Sequence, residues 1–192
     1  MDIILPSEGS VGGSIPLGHT KFNQNKYLDK IKKMRKKQKH NERSAGGVVC
    51  RGEGRNLRWL VIKTRNMRSR RPVFKLPKGH LKEGELLKKA AIREVEEEGR
   101  VRAEILARIG SNNYIYMDKE QKKKIVKKVT FFLMRYLSTS LLRYRDTEEI
   151  LAIIWLNTDE AIRRLDYKSE KIILGKAEKK LNNLIKTGKV RV

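Results

Sequence analysis

Apolar residues recur at the spacings of strands and helices from about residue 43 to residue 184. Runs rich in β-branched and aromatic residues predict strands at 44–50, 57–64, 104–116, 125–137 and 151–156. Apolar residues three and four positions apart predict helices at 85–98 and 168–184. The apolar side of the second helix comprises Ile172, Ile173, Ala177 and Leu181. This mixture of elements indicates an α/β domain.

The helix at 85–98 carries a group of acids near its C-terminal end. Its apolar side comprises Leu86, Leu87, Ala90, Ala91 and Val95. Glu94, Glu97 and Glu98 stand at i, i+3 and i+4 and therefore share one face, and Glu96 points away from it. Like charges at this spacing cost roughly 0.2–0.5 kcal/mol each, and the helix dipole adds a comparable penalty. A bound divalent cation would remove that penalty.

Ligand chemistry narrows the identity of such a cation. Carboxylate oxygens favour Mg²⁺ or Mn²⁺ over Zn²⁺, and the sequence contains no cluster of Cys and His. The alternative is a solvated acidic face whose charges pair with the nearby basic side chains of Lys88, Lys89, Arg93 and Arg100.

The residues around these acids resemble a known motif. Gly79, Glu85 and the run Arg93–Glu98 match in type and spacing the Nudix box, G-x5-E-x7-R-E-U-x-E-E-x-G-U, where U is an apolar residue. The chain departs from it at one position, because the final glycine of the motif falls on Arg100. We expect Gly99, one place earlier, to supply the left-handed residue that ends the helix.

The resemblance implies a fold and an active site. Nudix domains are α/β/α sandwiches in which a mixed β-sheet lies between helices. The metal ligands it implies are Glu94, Glu97 and Glu98, with Glu85 assisting and Gly79 beside them. Arg93 would hold Glu85 from two turns along the helix and join the three main ligands as a catalytic residue. The resemblance also implies a short helix after the last strand, capped by Thr158 or Asp159.

The segment before the box carries a second resemblance. Phe74–His80 is similar to the W-x-L-P-K-G-H segment of the diadenosine polyphosphate and diphosphoinositol polyphosphate branches of the family. By this resemblance Lys78, and with it Lys75, would bind the phosphates of a substrate. Solvated lysines are the alternative.

Four further residues are candidates for the site. Arg65 opens an arginine-rich loop beside the box, where it would meet phosphates or only water. Tyr114 and Tyr116 lie on one face of a strand and would stack on a base or pack in the core. Glu149 lies six residues before Trp155, where some Nudix hydrolases have an extra catalytic glutamate. A surface carboxylate is the alternative for Glu149.

Basic residues dominate the composition. The 192 residues include 46 Lys+Arg against 22 Asp+Glu, which gives a formal charge of +24 and a pI near 10.3. This charge indicates an anionic partner, although a solubility adaptation would also produce it. Residues 1–42 are predicted to form a flexible and then basic N-terminal extension that binds RNA or packs on the domain as a solvated helix. The Nudix domain would occupy residues 43–192.

The function that these features favour is Mg²⁺-dependent hydrolysis of a pyrophosphate bond in a nucleoside polyphosphate. A dinucleoside polyphosphate such as diadenosine tetraphosphate is favoured because residues 127–133, like Phe74–His80, are similar to that branch. One alternative is an RNA 5′-end pyrophosphohydrolase or decapping enzyme, and another is a non-catalytic protein that binds nucleic acid or the ribosome.

Location and assembly are less constrained by the sequence. A single cysteine, Cys50, in an apolar run suits a reducing compartment. No apolar run is long enough to span a membrane, and the N-terminus lacks the pattern of a secretory signal, so we expect a cytoplasmic protein. The sequence is compatible with both a monomer and a homodimer.

Overall fold

The computed structural model describes residues 41–65, 71–118, 123–141 and 150–190. Its strands are β1 (Asn41–Arg51), β2 (Arg58–Arg65), β3 (Pro72–Lys75), β4 (Lys78–His80), β5 (Val101–Asp118), β6 (Lys123–Thr139) and β7 (Ile150–Leu156). Its helices are α1 (Leu87–Gly99), α2 (Thr158–Arg164) and α3 (Lys168–Lys186), and a 3-10 turn covers Gly54–Asn56. The predicted extension up to residue 40, most of the arginine-rich loop and Glu149 lie outside the described residues.

The seven strands form one mixed sheet. Five of them follow the order β3-β2-β1-β6-β5, and β4 and β7 lie off this path. β1 runs parallel to β6, and the other pairs are antiparallel. One edge of β1 is shared, because its Ser44–Gly46 segment pairs with β4 and its last two residues pair with β2. β7 pairs with β2. This sharing brings the short strand β4, which contains Lys78 and Gly79, against the middle of the sheet.

The core lies in two layers, one on each face of the sheet. Neighbouring residues on a strand point to opposite faces, so Trp59 packs on the side of α2 and α3 whereas Leu60 packs on the side of α1. Phe131 and Phe132 divide in the same way. The predicted α/β/α sandwich is therefore confirmed. Within the described residues, none of the helices has both the length and the hydrophobicity of a membrane-spanning segment.

Three local predictions need correction. α1 begins at Leu87, so Leu86 precedes it and is 66% exposed. On α3, Ile172 faces solvent and Leu174 takes its place in the core. α2 is capped by Asn157, whose side chain accepts a hydrogen bond from the Glu160 N–H in a capping box, and not by Thr158 or Asp159.

The end of α1 also differs from the expectation. Arg100 itself adopts the left-handed conformation (φ 55°, ψ 31°), and its N–H donates to the Glu96 carbonyl. The expectation that Gly99 supplies the left-handed residue is therefore wrong. Gly99 lies within the helix, where a Cβ would stand only 2.7 Å from Leu60 Cδ2. Close packing of α1 on β2 explains why a glycine occupies this position.

We predict that Gly99→Ala destabilises the fold by about 1–3 kcal/mol, because the added methyl group forces α1 away from Leu60. Gly175→Ala in α3 is the matched control, since nothing lies within 4 Å of its Cβ position. Alanine there should leave stability unchanged or raise it by about 0.5–1 kcal/mol. Urea unfolding of the two variants checks this, and equal stabilities would contradict the packing account.

Candidate active site

The Arg93 guanidinium is the centre of an acidic cluster. Its Nε and Nη2 donate to the two carboxylate oxygens of Glu85 at 2.9 and 2.8 Å. Its Nη1 donates to Glu94 Oε1 at 2.7 Å and to Glu97 Oε2 at 2.8 Å, and Nη2 also reaches the His80 carbonyl at 2.9 Å. The hydrogen bond from Arg93 lowers the pKa of Glu85 to about 2, and the pKa of Arg93 is raised in return.

Glu85 occupies a position that the sequence analysis placed incorrectly. It lies in the turn before α1 and not on the helix, so Arg93 does not hold it from two turns along one helix. Its carboxylate also accepts a hydrogen bond from the Lys82 N–H at 2.9 Å. The expected contact between Arg93 and Glu85 is nevertheless present, and it holds the turn that contains Glu85 against α1.

Glu94 is the most buried carboxylate of the cluster, with only 7% of its surface exposed. Burial raises its pKa to about 7; Arg93 opposes this shift, and the charges of Glu98 and Glu97 add to it. Gly79 lies directly against the Glu94 carboxylate, because a Cβ at residue 79 would collide with both of its oxygens. A glycine is therefore required where the chain passes this carboxylate.

Glu98 faces the segment that leads into the box. Its Oε2 accepts a hydrogen bond from the Lys78 N–H at 2.8 Å, and its Oε1 lies 3.5 Å from Lys75 Nζ. Glu96, in contrast, contacts Arg102 and Ser140, away from the cluster. Glu94 and Glu97 thus meet at Arg93, whereas Glu98 contacts the segment before the box and lies near enough to Glu94 to raise its pKa.

The side chain of Lys78 runs to the other face of the sheet, where it meets a residue that the sequence analysis missed. Its ammonium lies 2.8 Å from Glu170 Oε1 on α3 and 5.7 Å from the centre of the Tyr167 ring. Burial acts to lower the pKa of Lys78, but the attraction of Glu170 and Glu98 outweighs it, and the pKa is raised. A signal was available, since Glu170 lies on the apolar side of α3, where an acid needs a partner.

The other predicted residues are placed as follows. Tyr114 is partly buried, with its hydroxyl 3.0 Å from Ser169 Oγ at the start of α3. Arg65 ends β2 opposite Pro72. The side chain of Tyr116 and the whole of Glu149 lie outside the described residues. Tyr114 is thus the predicted aromatic residue that the structure places beside the start of α3.

The donor set of the cluster fits a hard divalent cation. Three carboxylates are gathered with no sulfur or imidazole donor in the contacts described above, and the pKa of Glu94 is raised chiefly by burial and to a smaller extent by the charges of Glu98 and Glu97. Their positions do not form a ready cage, because the described residues contain no group of three acids, His or Cys with metal-binding geometry. Binding an ion would require the carboxylates to exchange some of their contacts with Arg93 and Lys75.

The pKa of Glu94 predicts a pH-dependent stability in metal-free protein. Because its folded pKa is about 7, above the ordinary value of 4.5, its stabilising contribution is complete below pH 4.5 and is lost as the pH rises through 7. Between pH 4.5 and 8 wild type should lose up to about 3 kcal/mol relative to Glu94→Gln. Urea unfolding in EDTA measures this, with Glu96→Gln as the control. A difference between wild type and Glu94→Gln that does not change with pH would contradict it.

Comparison with known proteins gives the family. The model of the NUDIX domain matches residues 40–174. A Mycobacterium tuberculosis (strain CDC 1551 / Oshkosh) protein, provisionally named mutator protein MutT4, is 32% identical over 149 residues, which are 77% of this chain and 58% of that protein. The chain therefore spans less than two thirds of that relative.

Solved structures share the fold. A NUDIX hydrolase from Nitrosomonas europaea has a TM-score of 0.56 at 19% identity, over 72% of this chain and 88% of that one. A binary complex of C. elegans Ap4A hydrolase has a TM-score of 0.55 at 22% identity, over 74% and 98% of the two chains. At these identities the likeness concerns the fold, whereas the matching family model extends over more than half of the chain. The chain belongs to the NUDIX domain family.

Proposed function

We propose that this protein is a metal-dependent hydrolase that cleaves a pyrophosphate bond in a nucleoside polyphosphate. The observation that carries the proposal is the cluster of Glu94 and Glu97, both held by Arg93, with Glu98 beside it accepting a hydrogen bond from the Lys78 N–H. Cleaving a phosphoric anhydride builds negative charge on phosphoryl oxygens and needs an activated water. A group of acids beside a lysine has the chemistry to meet both needs.

Each residue has a role in this proposal. Glu94, Glu97 and Glu98, with Glu85 assisting, would hold Mg²⁺ (or Mn²⁺), which when bound stabilises phosphoryl charge and makes a water more acidic. Lys78 orients the chain of phosphates, and Lys75 adds positive charge beside Glu98. Arg93 fixes the directions of the carboxylates. Glu149 is proposed as the general base that accepts the proton of the attacking water.

A dinucleoside polyphosphate such as diadenosine tetraphosphate is the favoured substrate. Support comes from Phe74–His80 and from the fold shared with C. elegans Ap4A hydrolase. Tyr114 offers an aromatic ring on the same side of the sheet as the Lys78 ammonium, and its hydroxyl contacts Ser169, the neighbour of Glu170 in the chain. The single cysteine, Cys50, is free and buried, which agrees with the proposed cytoplasmic location.

An RNA 5′ end is the second candidate substrate. The formal charge of +24 exceeds what a small nucleotide needs. The solvent-exposed lysines of α3 include Lys168, Lys176, Lys179 and Lys186. At 1.5 Å per residue they extend over about 27 Å, which is long enough to follow several phosphates of a strand. The non-catalytic alternative is less favoured, because the acids that a binding module could lose are all retained.

Two neighbouring glutamates of α1 provide the test. With Mg²⁺ present, Glu97→Gln should lower kcat on diadenosine tetraphosphate by about 10² or more, because it removes a carboxylate from the cluster. Glu96→Gln should keep wild-type activity, since Glu96 contacts Arg102 and Ser140 instead. Diphosphoinositol phosphate and 5′-triphosphorylated RNA are assayed in parallel.

The outcomes separate the candidate functions. Turnover of RNA alone would replace the favoured substrate with the second one. Tight RNA binding without turnover of any substrate would favour a binding module. Equal activity of the two glutamine variants would contradict the role of the cluster.

A further inference from the structure

Glu170 occupies an unusual place for a carboxylate. It is completely buried, on the same side of α3 as the core residues Ile173, Leu174, Ala177 and Leu181. Burying a carboxylate is costly unless it is paired. The packing of α3 on the sheet therefore does not explain an acid here, whereas an apolar residue would suit the position.

Both oxygens of Glu170 meet one short segment of the chain. Oε2 accepts a hydrogen bond from the Leu76 N–H at 2.8 Å, and Oε1 lies 2.8 Å from Lys78 Nζ. This segment continues directly into Gly79, which touches the Glu94 carboxylate. Glu170 is thus joined to the loop that borders the acidic cluster.

Lys78 links Glu170 to that cluster. Its N–H donates to Glu98 on α1, while its ammonium is paired with Glu170 on α3, across the sheet. Its side chain is only 14% exposed, so the ammonium has little freedom to move. The ammonium also donates a long hydrogen bond to the Leu76 carbonyl at 3.5 Å, and an ammonium has three N–H donors.

We propose that Glu170 is a positioning residue of the active site, which holds the Lys78 ammonium on the α3 side of the loop that borders the acidic cluster, so that Lys78 binds substrate phosphate there. The nature of the anion rests on the proposed function. The contacts themselves do not depend on it. α3 is then part of the site and not only a cover for the core.

Binding of a methylene-bridged ATP analogue, which resists hydrolysis, tests this without relying on turnover. Glu170→Gln keeps an acceptor for Leu76 but removes the charge that holds Lys78. Calorimetry with Mg²⁺ should show a Kd weakened by at least about tenfold, the size of one charge-assisted hydrogen bond. Lys78→Met should have a similar effect, and the double variant should bind no more weakly than Lys78→Met.

Glu178→Gln is the matched control, because Glu178 lies two turns further along α3 and accepts a hydrogen bond from Thr158. Its Kd should equal that of wild type. Thermal melting shows whether each variant folds, and Glu170→Asp, which keeps the charge but withdraws it by one methylene, replaces Glu170→Gln if that variant is unfolded. It too should bind more weakly.

Three results would overturn the inference. These are wild-type or tighter binding by the Glu170 variant, a double variant whose loss is the sum of the two single losses, and absence of analogue binding by wild type. A wild-type protein that binds the analogue but hydrolyses none of the substrates would instead refute the proposed function, and the role of Glu170 would still be decided by the Kd values.

Discussion

The guanidinium of Arg93 makes the rest of the site possible. Acids near the C-terminal end of a helix repel one another and the helix dipole. Arg93 offsets this by donating to Glu85, Glu94, Glu97 and the His80 carbonyl, and its planar fork fixes the direction of each acceptor. The same contacts draw the turn before α1 onto the helix, so that one side chain both gathers the acids and shapes the loop.

The sandwich gives this cluster a connection to the opposite layer. α1 and α3 pack on different faces of the sheet, and the segment Leu76–Gly79 passes between them. Lys78 contacts Glu98 through its backbone and Glu170 through its side chain. The ammonium of the segment that borders the acidic cluster is thereby paired with Glu170, which explains why a glutamate is buried in the packed face of α3.

The sequence predicted what depends on local periodicity. The body of α1 and the common face of its three acids follow from residue spacing, and the Nudix resemblance predicted the sandwich. Predictions from the sequence failed where tertiary contacts determine the local structure. A glycine is needed at residue 99 because α1 lies close to Leu60 there, and Arg100 adopts the left-handed conformation at the end of the helix. Neither fact can be predicted from residue spacing alone. Glu170 was not predicted because its ion-pair partner, Lys78, lies more than ninety positions earlier in the chain.

The central claim is that the acids gathered by Arg93 form a site for a divalent cation, and a calorimetric titration with Mn²⁺ at pH 7.5 tests it most directly. The account predicts that wild type and Glu96→Gln bind Mn²⁺ alike, whereas Glu94→Gln binds it at least about tenfold more weakly because a ligand is lost. Absence of binding by wild type, or equal binding by all three proteins, would contradict the account.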